Sequence, residues 1–405
     1  MMNRRQFIQG VGAVGATSLT GVPHLSHAQT LLNGKHSRLL LVMLNGGYAP
    51  MLTSAASFAG NSAAEMSFGF GDGGNMPFDV IGDVSYDLTC WGDISQSIKD
   101  RMACIGTVGA SNHNSAHHFW LSAEGGLAQA LASKMGGNAA IKAARVGSVI
   151  GAGDGSDVNG VSLQSVSSLE SALATLNGTG DVITKTQRPI VGSVVDRTLA
   201  RFEELGHQHR ENLSSLLSGY SAYSASLQTP AAEVSAEDLN SAYSGITDQF
   251  GLGNKLKITE GLMRSGVNVV CVGAGDGTFW DHHDDNSGNK TRGAFADMVP
   301  ALNVFGDRML GRDDMNVSIV FVSEHSRIPL ISNHGPHLST LVISDNAVKG
   351  ASTGITDRGG LIVDADSDKP ITAWKAAIGE MLGLYNADNP WGTAPQHRSL
   401  WRYGA

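Results

Sequence analysis

The chain has few cysteines, few aromatic residues and few charges for its length. Only 3 of its 405 residues are Cys, which excludes a small domain held together by disulfides. Hydrophobic residues make up 41%, enough to bury a full core, so global disorder is excluded as well. Beyond the amino terminus no apolar stretch reaches the roughly 20 residues that a membrane-spanning helix needs.

The charge balance is acidic. Lys and Arg number 28 against 37 Asp and Glu, which gives a formal net charge of −9. An acidic protein is repelled by a phosphate backbone, so we expect no nucleic-acid partner. The net charge does not exclude small anionic molecules or protein partners, because a local site can differ in charge from the whole chain.

The amino terminus predicts export. The run Asn3-Arg4-Arg5-Gln6-Phe7-Ile8 precedes a short, Gly-rich apolar segment, and Ser26-His27-Ala28 follows as a small-x-small cleavage pattern. We interpret residues 1–28 as a twin-arginine signal peptide and expect a periplasmic or secreted protein with no stable membrane span. Removal of this segment, which carries two Arg and no acid, takes the net charge to −11. Because this route carries proteins folded before export, it favours a metal loaded in the cytoplasm.

The remaining chain alternates short apolar runs with longer segments of helical period, which is typical of parallel βα units. We predict one α/β domain over residues 29–405, with a mostly parallel central sheet flanked by helices and a loop-rich insertion at Ser54–Asp93. Gly147–Leu176 is interpreted as a turn-rich connection. The predicted strands are Leu39–Leu44, Cys104–Val108, Val267–Val272, Val317–Val322 and Thr340–Ile343, with Leu361–Val363 as an edge strand. The predicted helices are Val195–Gln228, Glu237–Ser265 in pieces, Gly293–Leu310 and Ala373–Tyr385.

Polar residues cluster just past the carboxyl ends of these predicted strands. They are Asn45, Asn112–His118, Asp281–His283 and Glu324–His325. Open α/β sheets bind their ligands at this edge. The sequence therefore places a candidate site there.

Eight of the 14 histidines fall in three short stretches, and the first contains His113, His117 and His118. It lies where a predicted strand gives way to a helix. Ser111 or Ser115 there is a candidate nucleophile, since backbone N–H groups at a helix start can hold an anion. The alternative is that one of these serines only caps the helix.

The second stretch is Asp276–Asp285, in which Asp281, His282 and His283 are consecutive. Carboxylate and imidazole ligands suit zinc, manganese, iron or magnesium rather than a metal bound by thiolates. The alternative is a solvated acidic loop in which Asp284 and Asp285 form a turn.

The third stretch contains His325, His334 and His337, and Glu324 directly precedes its first histidine. Each histidine alone could be an ordinary polar loop residue. Together with the second stretch they predict a site for one or two metal ions that activates water or a hydroxyl for attack on an anionic ester.

The order of these pieces resembles the alkaline phosphatase and sulfatase superfamily, in particular its twin-arginine-exported bacterial branch. The resemblance spans most of the mature chain. Its motifs are Leu44-Asn45-Gly46-Gly47 after the first strand, Ser111 to His118 at a helix start, Trp280-Asp281-His282-His283, Ser323-Glu324-His325-Ser326-Arg327, Asn333-His334-Gly335, and Ala347-Val348-Lys349-Gly350.

The resemblance implies an alkaline-phosphatase-like fold and a set of site residues. It implies Asp281 and His283 at one metal position, Glu324 and His325 at or near a second, and His334 as a late ligand; His337 is a further candidate. Arg327 would stabilise the charge that develops during the reaction. Two positions depart from the family pattern, because Tyr48 and Asn333 stand where the family usually has acids. One expected metal carboxylate is therefore absent after the first strand, unless Asn45 takes its place.

Two functions from different classes follow. The first is an exported metal-dependent hydrolase of phosphate or sulfate esters, with a small molecule or a glycan ester as substrate and a divalent ion such as zinc, manganese, iron or calcium as cofactor. The second is a non-catalytic binding or assembly protein on the same scaffold, since two acids are replaced. A hydrolase of another ester or amide class is the remaining alternative.

Overall fold

The computed structural model of the chain describes most of the predicted domain. The described residues are 31–47, 78–108, 113, 126–137, 139, 141–149, 158–177, 197, 234–276, 279–285, 288–323, 325–328, 333–335, 337–356, 362–363 and 370–403. None of the helices among these residues combines the length and the apolar composition of a membrane-spanning helix.

Fifteen strands and eight α-helices are described. The strands are β1 (Leu31–Leu32), β2 (Lys35–Met43), β3 (Phe78–Ile81), β4 (Val84–Asp87), β5 (Met102–Val108), β6 (Ala143–Val146), β7 (Leu163–Val166), β8 (Val269–Gly273), β9 (Met315–Val322), β10 (Ser326–Ile328), β11 (Asn333–Gly335), β12 (His337–Ser344), β13 (Ser352–Thr353), β14 (Ile355–Thr356) and β15 (Ile362–Val363). The helices are α1 (Leu88–Trp91), α2 (Gln96–Lys99), α3 (Leu127–Met135), α4 (Leu169–Asn177), α5 (Ala236–Ala242), α6 (Leu252–Arg264), α7 (Asn289–Met309) and α8 (Pro370–Met381), with two 3₁₀ turns at Asn386–Asp388 and Pro395–Leu400.

The protein is an α/β domain built on a mixed, nine-stranded sheet. Its order is β13-β5-β12-β9-β2-β8-β6-β7, with β1 paired to the start of β2. Most neighbouring pairs are parallel, and β2 lies between two parallel partners, β8 and β9. The exceptions are β12, which runs antiparallel to both β5 and β9, and the short β1, which runs antiparallel to β2.

Helices cover both faces of the sheet, as the buried pattern of β2 requires. Leu40 and Val42 face a core formed with α1, α6 and α7, whereas Leu39 and Leu41 face a second core formed with α3 and α8. Successive side chains of a strand point to opposite faces, so a strand buried on both faces is apolar at every position. The three cysteines, Cys90, Cys104 and Cys271, are buried in these cores.

The five main predicted strands and three of the four predicted helical segments are present with shifted ends, but the predicted βα alternation fails at β12. The chain returns from β9 through the hairpin β10–β11 instead of a crossover helix, and a connection of this kind leads to an antiparallel neighbour. The strand predicted at Leu361–Val363 is present as β15, but it pairs with β14 in a separate two-stranded sheet and is not an edge of the main sheet.

Two segments predicted as irregular carry structure. Gly147–Leu176 contains β7 and most of α4, and the insertion Ser54–Asp93 ends in the hairpin β3–β4 followed by α1. The short strand β7, Leu-Gln-Ser-Val, has polar residues in its middle and so lacks the apolar run used to find strands. The predicted helix Val195–Gln228 lies outside the described residues except at Arg197.

A buried carboxylate holds the carboxyl-terminal end of α7 against α6. Glu260, 1% exposed, accepts hydrogen bonds from Tyr243 at 3.0 Å, from Arg264 at 3.1 Å and from the Nε atom of Arg308 at 3.0 Å. This network therefore ties α5, α6 and α7 together on one face of the sheet.

We expect Glu260→Ala to lower the free energy of unfolding by about 3 kcal/mol, because it removes the buried acceptor of the Tyr243 hydroxyl and leaves Arg264 and Arg308 with only the exposed carboxylate of Asp238. Urea denaturation followed by circular dichroism measures the effect. Glu237→Ala, an exposed acid on α5, is the control and should change the free energy by less than about 0.5 kcal/mol. Equal effects of the two substitutions would contradict the structural role of Glu260.

Candidate metal centre

Three loops of the candidate site leave the sheet from one row of residues. Met43, the last residue of β2, is paired in register with Gly273 at the end of β8 and with Val322 at the end of β9. Strand β5 ends at Val108 beside the first residue of β12, at this same edge. Segments far apart in sequence are therefore brought together at the carboxyl ends of the parallel strands.

Hydrogen bonds hold these loops to one another. The Leu44 amide donates to the Val322 carbonyl at 2.8 Å, and the Ser323 hydroxyl donates to the Leu44 carbonyl at 2.8 Å. Farther along, the Trp280 amide donates to the Asn45 carbonyl at 2.9 Å. These bonds fix the backbone just before Asp281 and His325, independently of any bound ligand.

Gly47 makes room for a site histidine. Its φ is +86°, a region that disfavours residues with a Cβ, and a Cβ built there would lie 2.2 Å from the Nδ1 and Cε1 atoms of His325. The His325 side chain is fully buried. The Gly-Gly sequence is thus explained by a close approach between the loop after β2 and the imidazole that follows β9.

The loop after β8 is anchored by Trp280. Its indole is buried, donates from Nε1 to the Ala274 carbonyl, and packs against Phe250 and Phe295 at ring-centroid distances of 5.6 and 4.8 Å. This anchor leaves the following residue, Asp281, at the edge of the sheet.

The five polar residues after Trp280 divide into two groups with different roles. Asp285 is buried and accepts from the amide of Lys290 at 3.2 Å and from the amide of Thr291 at 2.9 Å, so it satisfies donors in the first turn of α7. His282 lies 3.2 Å from the Thr291 hydroxyl, and burial lowers its pKa. Asp284 is exposed and paired with Lys290, whose hydrogen bond lowers the pKa of the Asp284 carboxyl. These three residues support the loop and the helix.

Asp281 and His283 instead meet histidines from two other segments. The Oδ1 atom of Asp281 lies 3.3 Å from Nε2 of His283 and 3.4 Å from Nε2 of His334, while its Oδ2 atom lies 3.3 Å from Nε2 of His113. The Nε2 atoms of His334 and His283 are 3.1 Å apart. His325 stacks on His334 with ring centroids 4.0 Å apart.

We call these five residues, His113, Asp281, His283, His325 and His334, the histidine cluster. They form two groups, His113 with His325 and His334, and Asp281 with His283 and His334, in which one ligand atom of each residue lies within 4.8 Å of the others. Imidazole nitrogens with a carboxylate oxygen are the ligands of zinc and of other first-row divalent ions. The donors present therefore fit a divalent metal ion.

Four of the six metal ligands named from the sequence lie in this cluster: Asp281, His283, His325 and His334. Glu324 lies outside the described residues. For His337 the structure describes the backbone, which begins β12 beside Val108. His113 was not named as a ligand, although its place after a strand end and its two neighbouring histidines were signals that could have identified it.

The candidate catalytic residues are placed only in part. Ser111 and Ser115 lie outside the described residues. The backbone of Arg327 pairs with that of His334 across the hairpin β10–β11, so the hairpin brings this arginine position next to the cluster.

Comparisons with models of known protein families, with curated proteins and with solved structures gave no match. The geometry of the cluster and its place at the sheet edge therefore carry the functional argument.

We expect Gly47→Ala to weaken metal binding at least 10-fold, because the added methyl group must displace the His325 imidazole. Titration of the metal-free protein with zinc, followed by calorimetry, measures the affinity. Gly34→Ala is a matched control: its φ of +75° imposes similar backbone strain, but no atom lies within 4 Å of the added carbon. Equal affinities for both variants would place the metal away from His325.

We expect Asp281→Ala and His325→Ala each to abolish metal binding while the far-UV circular dichroism stays nearly unchanged, since both residues follow strand ends rather than form them. Asp284→Ala, three residues after Asp281 in the same loop, should keep its metal. Metal content measured by plasma mass spectrometry separates these outcomes. Full metal in both of the first two variants would show that the site lies elsewhere.

Asp285→Ala should lower the stability of the protein and leave metal binding intact, which is the opposite of the result expected for Asp281→Ala. It removes the acceptor for the first turn of α7, so we expect a loss of about 1–2 kcal/mol in the free energy of unfolding with metal still bound. Thermal unfolding and metal content of the same sample test both parts. A stable variant that has lost its metal would contradict the division of roles within the loop.

Proposed function

We propose that the protein is an exported, metal-dependent hydrolase of phosphate or sulfate esters. The observation that carries the proposal is the convergence of four imidazoles and one carboxylate at the carboxyl ends of the parallel strands. The resemblance of the ordered motifs to the alkaline phosphatase and sulfatase superfamily supports the same reaction class.

The charge of the cluster favours an anionic substrate. Its described members offer four imidazoles, neutral when they act as ligands, against the single carboxylate of Asp281. A bound divalent ion would leave a net positive charge, which attracts a phosphate or sulfate group. When bound, such an ion supplies polarisation of an ester oxygen and a lower pKa for water.

Exposure of the cluster is uneven and indicates where a substrate would enter. The side chains of His283 and His113 are 56% and 41% exposed, those of Asp281 and His334 are 19% and 18% exposed, and His325 is fully buried. His325 thus forms the floor of the cluster, and the ester group would approach between His113 and His283.

The residues of the cluster then bind the ester group and orient the groups that react with it. Asp281 contacts His113, His283 and His334, and so holds three imidazole nitrogens toward one region. A water or serine oxygen attacks phosphorus or sulfur, the bond to the ester oxygen breaks, and the leaving alcohol takes up the proton that the attacking oxygen gives up. Where serine attacks, a water molecule then hydrolyses the serine ester and releases phosphate or sulfate. Ser111, Ser115 and Arg327 remain the proposed nucleophiles and charge-stabilising group.

A non-catalytic scaffold is the second candidate. It is favoured by Tyr48 and Asn333, which stand where the superfamily has acids, and by the single carboxylate among the described members of the cluster. Fewer anionic ligands hold a divalent ion less tightly.

We expect protein purified without a metal-binding tag, after removal of residues 1–28, to hydrolyse p-nitrophenyl phosphate or p-nitrophenyl sulfate in a reaction that EDTA stops and added metal restores. Asp281→Ala should lower kcat/KM at least 100-fold, because it removes the carboxylate shared by three histidines, whereas Asp284→Ala should retain it. Absorbance of the released nitrophenolate gives the rate.

Two results would contradict the proposal. Stably folded, metal-free protein would favour the non-catalytic scaffold and make a partner search the next step. Metal-loaded protein that hydrolyses neither ester would exclude this substrate class. A tagged fusion to the first 28 residues, with Arg4 and Arg5 replaced by Lys as control, tests the proposed export independently.

A further inference from the structure

The ammonium group of Lys255 lies at the carboxyl end of β8, where the loop that carries Asp281 leaves the sheet. Lys255 is in the first turn of α6 and donates from Nζ to the Gly273 carbonyl at 2.8 Å. Gly273 is the last residue of β8 and is paired in register with Met43, the last residue of β2. The lysine therefore binds the row of strand ends from which the loops of the site leave.

Gly147 makes room for the Lys255 side chain. It follows β6 with a φ of +80°, and a Cβ built there would lie 2.9 Å from the Cε atom of the lysine. A Cβ on Gly273 would lie 1.8 Å from the carbonyl oxygen of Ser148, so the backbones that follow β6 and end β8 are in close contact. Lys255 thus lies where these two strand ends meet α6.

Carboxylates near Lys255 favour its charged form. Burial lowers the pKa of the ammonium, whereas the carboxylates of Asp276 and Asp248 act in the opposite direction. Asp248 is itself fixed at the start of α6, where it accepts from the amides of Leu252 at 2.6 Å and Gly253 at 2.9 Å. A hydrogen bond from a charged donor is stronger than one between neutral groups. The bond from Lys255 therefore connects α6 firmly to the end of β8.

Two further hydrogen bonds continue from this point toward a residue of the histidine cluster. The Ala274 amide donates to the Met43 carbonyl at 2.9 Å, and the Ala274 carbonyl accepts from Nε1 of Trp280. Asp281 comes directly after Trp280. The position of the Asp281 carboxylate thus depends on where the backbone of residues 273–274 is held.

We propose that Lys255 is a positioning residue of the metal centre, which holds the end of β8 and thereby keeps Asp281 at its place in the histidine cluster. The inference rests on the metal centre of the proposed function and goes beyond it, because the resemblance assigns Lys255 no role. Residues that orient metal ligands change the metal affinity by about 10- to 100-fold when they are replaced.

The first experiment measures the loop directly, in protein without metal. Lys255→Met keeps most of the side-chain stem but removes the ammonium, so we expect amide exchange of the peptide 274–281 to become at least about 10-fold faster while exchange of β2 stays unchanged. Hydrogen–deuterium exchange with mass spectrometry gives both rates. Lys257→Met is the matched control, because Lys257 lies on the same helix and bonds Asn240 at the surface. It should change neither rate.

The second experiment titrates the same metal-free proteins with zinc by calorimetry. We expect Lys255→Met to weaken zinc binding about 10-fold and Lys257→Met to leave it unchanged. A role of Lys255 in stability alone would lower the Tm but would change neither the zinc affinity nor the exchange of the loop relative to β2.

A further variant displaces the lysine instead of removing it. The methyl group of Gly147→Ala must push the Cε atom of Lys255 aside, so we expect the same two effects as for Lys255→Met. Gly160→Ala is its control, since the φ of Gly160 is +77° and no atom lies within 4 Å of the added carbon. Circular dichroism of each variant verifies the fold.

The inference is overturned if Lys255→Met and Lys257→Met show equal exchange in the peptide 274–281, or if they bind zinc equally well. Either result leaves the proposed function standing when the unaltered protein binds zinc and hydrolyses an ester. Faster exchange and weaker zinc binding in a protein that hydrolyses neither ester would sustain the role of Lys255 and reject the hydrolase. Unaltered protein that binds no zinc would reject both.

Discussion

The candidate site depends on the register of three parallel strands. Strands β8, β2 and β9 end in one row, at Gly273, Met43 and Val322, and each continues into a loop of the site. A shift of one residue in either pairing would turn the side chains of a whole strand to the opposite face, and both cores would lose their apolar contacts. The packing of β2 on both faces therefore also determines which loops can meet.

Chemical similarity along a sequence does not imply a shared role. Between Asp281 and Asp285 the chain has only carboxylate and imidazole side chains. Asp285 nevertheless supports the start of α7, whereas Asp281 and His283 belong to the histidine cluster. The division follows from local geometry. Asp285 lies where the free amides of the helix need an acceptor, whereas Asp281 follows a buried tryptophan that leaves it at the sheet edge.

Much of the site was readable from the sequence because its residues follow apolar runs. The runs at Leu39–Leu44 and Val317–Val322 are long and apolar, so the ends of β2 and β9, and with them Asn45 and His325, could be located within a residue or two. Parallel strands then imply a common edge. That reasoning brought together Asp281, His283 and His325, whereas His334 was named from the clustering of histidines and from the family resemblance.

The remainder could not be read in this way for physical reasons. The direction of β12 depends on whether the preceding connection is a hairpin or a crossover, and residues 323–336 show no period that separates the two. Strands β6 and β7 contain small and polar residues, so neither gives an apolar run. A ligand role for His113 became visible only when its loop was placed beside Asp281, a relation between residues far apart in the chain.

The histidine cluster also bears on how the protein folds. Its members come from positions between 113 and 334, so no short segment contains a complete ligand set. A zinc finger gathers its ligands locally and can use the ion as a folding nucleus, but here the ion can act only on a chain whose sheet has already formed. Metal would therefore slow unfolding more than it speeds folding, and a chain that had lost its ion would still reach the native topology.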